Sequence, residues 1–378
     1  MTIGADSELA AIAQQLDLLL NLTPVNSAPA WEDFERSGFA VAPTFVYRDL
    51  QLDVDALHRR LGEVPIEDVA EPLLAGLLHA KRRELTLQLR LIEMRGSPRF
   101  LETSVDLYGG VTEALLDRAL GILSALPPMP EEDGHVSPAE MRAHALDEVA
   151  HYCDLDRSFE CEVEVRDDVV DLMVHRGKLL IGASAAVRRK RVAPLLQHEL
   201  GTHVVTYFNA TKQPLQLLRL GLDAYEETQE GLAVIAEYAV AGLDAQRMRL
   251  LAARVVAVHR VVEGRSFVEI FDELRLQHGF APRTAWAVTA RVARSGGFTK
   301  DVIYLRGLVN LLDYLKAREP LDPLLVGKMA LVHVPAVKDL IQRGFLRSPA
   351  MRPRWMELGA HRLGAIDADT TILDLVTT

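Results

Sequence analysis

Residues 195–205 read LLQHELGTHVV. The stretch carries His198 and Glu199, and then, after three further residues, His203. Successive residues of an α-helix turn by about 100°, so histidines at i and i+4 share a face, whereas His198 and His203, at i and i+5, stand roughly 140° apart. On a regular helix the two imidazoles cannot reach one ion. Two local structures rescue the pair: a π-bulge, which widens one turn and is frequent at functional sites, or a helix that ends near Gly201. A glycine between the histidines eases either distortion. The remaining reading is two unrelated histidines on one helix.

A catalytic zinc site needs three protein ligands and one open position, so a third donor is required. The downstream segment YEETQEGLAVIAEYAVAG, residues 225–242, offers it. Glu226, Glu230 and Glu237 fall at i, i+4 and i+11, one face of a helix. The same segment carries the apolar set Leu232, Ile235, Ala236 and Ala239. Glu226 and Glu227 suit a first helical turn by dipole alone, an explanation that serves Glu230 less well. The assembled expectation is zinc held by His198, His203 and Glu230. Glu199 stands beside it as general base toward a water that the metal acidifies. Glu237, seven residues on, is the candidate to orient a ligand histidine.

The rest of the chain reads as a mostly helical α+β protein. Residues 71–96 and 109–126 have helical periodicity. Residues 127–137, proline-rich and acidic, read as a linker. Ser137, Pro138 and Glu140 then form a capping box that starts a helix running to about His151. Alternating apolar and polar residues predict strands at Phe159–Val165, Val170–Val174 and Lys178–Ile181 around a turn at HRGK. From Asp223 onward the pattern is helical again. This divides the chain into an N-terminal helical region (1–126), a linker (127–137), a catalytic core (138–245) and a C-terminal helical region (246–378). The net charge of -11 disfavours a nucleic-acid binder. No apolar run is long enough to span a bilayer, and the first residues lack the basic start of a signal peptide. With only Cys153 and Cys161 available for pairing, two free thiols in a reducing cytoplasm are expected.

The two motifs together resemble the QEGLA-motif proteins, which include the eukaryotic tyrosine metallocarboxypeptidases. The literal QEGLA stands at Gln229–Ala233. RFLETSVDLYGGV (99–111), RDDVVDLMVHRGKLLIG (166–182) and GGFTKDVIYLRGL (296–308) also look like family blocks. The likeness extends over most of the chain from about residue 40. It implies a zincin-like core with an HExxxH helix, zinc on His198, His203 and Glu230, and Glu199 as the catalytic acid–base. In the eukaryotic members the implied activity is removal of a C-terminal tyrosine from α-tubulin, a substrate this chain need not share.

The expected function is therefore a zinc metallocarboxypeptidase that removes a C-terminal residue, tyrosine or another aromatic, from a peptide or protein. The alternatives are a non-catalytic zinc-containing binding protein of the same fold, or a zinc amidase acting on a small molecule. A carboxypeptidase must recognise a free carboxylate, which calls for a cation or a helix N-terminus near the metal. SGGFTKDVIYLRG offers Lys300 for the carboxylate, with Thr299 as helix N-cap after a flexible Gly296-Gly297 loop. Tyr304, one turn on, is the candidate transition-state donor. Arg306 and Arg291 are further cations for substrate. The stretch KLLIGAS is the candidate edge strand to pair with an extended substrate. The RRKR cluster, Arg188–Arg191, stands at a helix start against the macrodipole. It reads as a solvated loop or a dock for an acidic tail.

Overall fold

The computed structural model describes residues 4–128, 134–169 and 171–377. It is α+β and mostly helical, with two small sheets. The interior of the linker segment, residues 129–133, and Val170 at the start of the second expected strand lie outside the described residues.

Local chemistry sets the element boundaries. The capping box at Ser137 and Glu140 is present and opens helix Pro138–Leu155, one turn longer than the sequence suggests. Thr112 caps helix Glu113–Ala125, and Asp244 caps helix Ala245–Val262. One large apolar core gathers residues from Ala5 to Leu375 and joins the N-terminal helices to those after Ala210. A second, smaller core lies beneath the sheet and the histidine helix, from Val136 to Phe208 with Met351 added.

Strands β2 (Val163–Arg166), β3 (Leu172–His175) and β4 (Lys178–Gly182) form the main sheet in the order β2-β4-β3. Residues 159–162 stay outside it. β4 pairs parallel to β2 and antiparallel to β3. The expected edge strand KLLIGAS is therefore central, with both of its ladders filled. The reason is legible afterwards: Leu179, Leu180, Ile181 and Gly182 are buried in succession, as a two-sided interior strand requires. β3 alternates between half-buried and exposed residues and holds the sheet edge on the histidine-helix side. A further two-stranded ladder pairs β1 (His135–Val136) with β5 (Val187–Arg188).

The Gly296-Gly297 turn is packed rather than open: a Cβ on Gly297 would stand 2.9 Å from Val261 and 3.0 Å from Leu101. Thr299 does not cap a helix. It is fully buried, its hydroxyl bonds the Ser104 carbonyl at 3.0 Å, and a 3-10 turn Thr299–Val302 precedes helix Ile303–Lys316. No helix among the described residues is long and apolar enough to cross a membrane.

Candidate metal centre

The histidine helix is α-helical from Val192 to His198, π-helical from Glu199 to Val204, and α-helical again from Val205 to Thr211. The widened turn falls between the two histidines and brings both onto one side, with ring centroids 5.1 Å apart. Gly201 is not needed for backbone freedom, since its φ is not positive. It is needed for space: a Cβ there would stand 2.7 Å from Gln197 Oε1 and 3.1 Å from the Trp355 ring.

Helix Tyr225–Ala239 supplies the acidic groups. One ligand atom each from His198, His203 and Glu230 lies within 4.8 Å of the others. His198 Nε2 is 3.6 Å from Glu230 Oε2 and 3.9 Å from Glu199 Oε1. Ligands about 2.1 Å from a shared tetrahedral ion stand about 3.4 Å apart, so small side-chain movements complete such a geometry. Two imidazoles and a carboxylate are also the donor types zinc prefers.

Glu237 has no solvent exposure, and its Oε1 lies 2.8 Å from His198 Nδ1. Arg247 and Arg191 neutralise it, at 3.0 and 2.7 Å. An ionised Glu237 can only accept, so Nδ1 carries a proton, and Nε2, on the Glu230 side, is the nitrogen that would give up its own proton to ligate a metal. Burial opposes charge on Glu237, but the two guanidinium groups and His198 outweigh it and hold the carboxyl well below its ordinary range.

The other groups respond to the same enclosure. Burial works against protonation of His198, yet its bonds to Glu230 and Glu237 lift it to about 9. Burial pushes His203 down to about 4, against the pull of Glu230. Burial also opposes ionisation of Glu230, which the two imidazoles nevertheless hold at about 2. Glu199 is pushed up to about 7, first by burial and then by Glu230 and Glu237, against the pull of His198.

Glu199 faces a cavity of about 590 Å³, lined also by Leu172 at the start of β3 and by Arg188, Arg247, Leu250 and Arg254. The other residues expected to bind substrate, Lys300, Arg291, Arg306 and Tyr304, are not among those that line this cavity, and each is already engaged. Lys300 is buried and sits 3.1 Å from Glu226. Arg291 makes a bidentate pair with Asp301 at 2.6 and 2.8 Å. Arg306 bonds Glu227 at 2.6 Å and the Tyr108 carbonyl at 2.7 Å. The Tyr304 ring lies 4.6 Å beneath the Arg254 guanidinium. The RRKR cluster is mostly tied down. Arg191 is buried on Glu237, Arg188 bonds Gln246, Lys190 is 3.3 Å from Asp244 and Arg189 is 3.8 Å from Glu140.

Sequence reasoning missed Arg247 and Arg254, and read Arg191 as part of a solvated or docking cluster rather than as a buried partner of Glu237. The available signal was the spacing of Arg247, Leu250 and Arg254 at i, i+3 and i+7. This puts two arginines on one face of a helix whose other positions are largely apolar between Leu250 and Val258.

With this geometry in view, the sequence model describing the microtubule-associated tyrosine carboxypeptidases matches residues 32–368. The chain belongs to that family. Within it, human microtubule-associated tyrosine carboxypeptidase 1 (Homo sapiens) is 27% identical over 218 residues, 54% of this chain and 45% of the relative. The match thus spans less than half the length of that curated relative. The family match runs through the π-turn, the QEGLA helix and the Arg254 helix.

Proposed function

We propose that this chain is a zinc-dependent carboxypeptidase with a zincin-like core that removes a C-terminal residue, tyrosine or another aromatic, from a peptide or protein. The carrying observation is the convergence of His198, His203 and Glu230 to within 4.8 Å across a π-turn, with Glu199 lining a cavity beside them. Family membership and the relative's name support the carboxypeptidase class.

In this reading His198, His203 and Glu230 hold zinc. Bound there, zinc supplies Lewis acidity to the scissile carbonyl and to the attacking water. Glu199 removes the proton from that water and delivers it to the leaving amine. Its raised affinity for protons, to about 7, suits both halves of that transfer at neutral pH. Tyr304 donates its phenolic hydrogen to the developing oxyanion. The substrate backbone adds along the free edge of β3, whose Leu172 lines the same cavity. Glu237 holds His198 in its Nδ1–H tautomer.

The purified protein is expected to carry about one zinc per chain. Incubated with peptides of diverse C-termini, it should shorten the aromatic-ended members by one residue in mass spectra, and chelation should stop the reaction. Zinc-free protein with all three ligands intact would sink the proposal. Zinc-loaded protein that leaves every peptide unchanged would point to the binding role instead.

Glu237→Gln is expected to weaken zinc binding by about 10- to 100-fold, measured by competition with a chromophoric chelator. The amide presents a neutral partner to His198 and leaves Arg191 and Arg247 without their counter-charge. Unchanged affinity would mean that Glu237 serves packing alone.

A further inference from the structure

The cavity at Glu199 is rich in arginine, and almost every guanidinium there is occupied. Arg247 is bidentate on Glu237, Arg191 takes Glu237 and the Gly242 carbonyl, and Arg188 takes Gln246. Arg249 is spent on the backbone carbonyls of Leu123, Leu126 and His278. Arg254 differs. Among the described residues it donates no hydrogen bond, and its buried Nε is one of the unpartnered polar atoms. The nearest carboxylate oxygen, Asp301 Oδ2, is 3.7 Å away and is already held by Arg291 at 2.6 Å.

The local charge is also unbalanced. Arg254, Arg291 and Arg294 all act on the single carboxylate of Asp301. Burial, then the neighbouring Arg291, lowers the proton affinity of Arg254. A buried cation that lacks hydrogen-bond partners is costly, and an anion entering the cavity would offset that cost. The three cations named from sequence cannot fill this role without giving up a carboxylate of their own: Lys300 has Glu226, Arg291 has Asp301 and Arg306 has Glu227.

We propose that Arg254 is the residue that binds the free α-carboxylate of the substrate, which rests on the carboxypeptidase reading above. Arg254 and Arg247 lie seven residues apart on helix Ala245–Val262, about 10.5 Å along its axis, and both line the cavity with Glu199. Arg247 fixes one end of that span to the centre through Glu237 and His198. One residue of extended peptide covers roughly 3.5 Å, so a single residue beyond the scissile bond falls between the two ends. A planar guanidinium with free N–H groups matches a carboxylate in bidentate fashion. An internal peptide bond, or a C-terminal amide, brings no charge and leaves Arg254 unpaired. The site then rejects it by the cost of that unpaired group. Exopeptidase specificity would thus come from one arginine, with Tyr304 held beneath it.

The test uses N-acetyl-pentaalanyl-tyrosine as free acid and as C-terminal amide. Binding is measured by calorimetry on zinc-loaded Glu199→Gln protein, and hydrolysis on protein with Glu199 intact. The Glu199→Gln protein is expected to favour the acid by about 30-fold or more in Kd. Adding Arg254→Met should bring the two forms to within about threefold at unchanged zinc content. Arg254→Lys, which keeps the charge but loses the fork, should leave an intermediate preference. An acid preference that survives Arg254→Met in folded, zinc-loaded protein overturns the proposal. If Arg254→Met does not fold, an undiminished preference in Arg254→Lys does so. Acid and amide cleaved equally well by the unsubstituted chain would overturn the anchor and leave the peptidase reading standing. An Arg254-dependent acid preference without hydrolysis would support the anchor while the peptidase reading failed.

Discussion

Glu199→Gln is expected to lower turnover by about 10²- to 10⁴-fold, the range for loss of a positioned general base, while bound zinc stays near one per chain. The amide has nearly the volume of the carboxylate, so the π-turn and the surrounding contacts persist, but it cannot accept the proton of the attacking water. Stability should move the other way. The folded protein holds the Glu199 carboxyl at about 7, above its ordinary value of 4.5. A carboxyl with a raised folded-state pKa costs stability as pH rises from its unfolded value, and the cost is complete once pH passes the folded value. The substitution removes that cost. In metal-free protein the glutamine variant should melt above the unsubstituted chain, with the gap opening between about pH 4.5 and 7 and constant beyond. Loss of activity with a lower melting temperature and lost zinc would indicate general damage instead, and would remove Glu199 from the role of base.

Gly231→Ala is expected to destabilise the protein by about 2–3 kcal/mol and to weaken metal retention in the same step. Helices Tyr225–Ala239 and Ile303–Lys316 cross with their backbones nearly touching. A Cβ on Gly231 would stand 2.5 Å from the carbonyl carbon and oxygen of Gly307, and one on Gly307 would stand 2.1 Å from the Glu227 carbonyl oxygen. Backbone atoms cannot rotate aside as a side chain would, so the helices must separate. The higher helix propensity of alanine, about 1 kcal/mol, recovers only part of the loss. Glu230 is the adjacent residue, so any retreat of this helix moves the proposed third ligand away from His198 and His203. Thermal melting with and without added zinc reads both effects. A variant that melts at or above the unsubstituted protein would show that the two helices tolerate separation.

These two residues show why the motif region was legible. Neighbours on a helix point about 100° apart, so in QEGLA the glutamate can face the histidines while the glycine faces another helix. The sequence carries this compactly because both requirements fall within one turn. The five-residue spacing of the histidines was equally readable, since the angle it imposes excludes a regular helix and leaves few alternatives. The Glu237 contact was also within reach, because it lies two turns from Glu230 on a helix whose apolar face was clear.

The sheet order and the cleft arginines were not readable in the same way. Three strands in succession suggest a simple meander. The parallel pairing of β2 with β4 instead leaves β3 on the edge, and strand pairing is a long-range choice that local alternation does not encode. The carboxylate partners of Arg291 and Arg306 lie 10 and 79 residues away. A cation looks free in sequence until folding brings its counter-ion, and it is the counter-ions that separate Arg254 from the other arginines.

The sequence by itself pointed to His198, His203 and Glu230 as a candidate donor set, to an irregular turn between the histidines and to the mostly helical α+β class, because each depends on residue type and on periodicity within one or two helical turns. Only the tertiary structure decided which strands lie at the sheet edges, which glycines are contact points and which cavity arginine, among the described residues, donates no hydrogen bond. Those properties arise from surfaces and charges meeting across the fold, and burial makes the match or mismatch of each charge count.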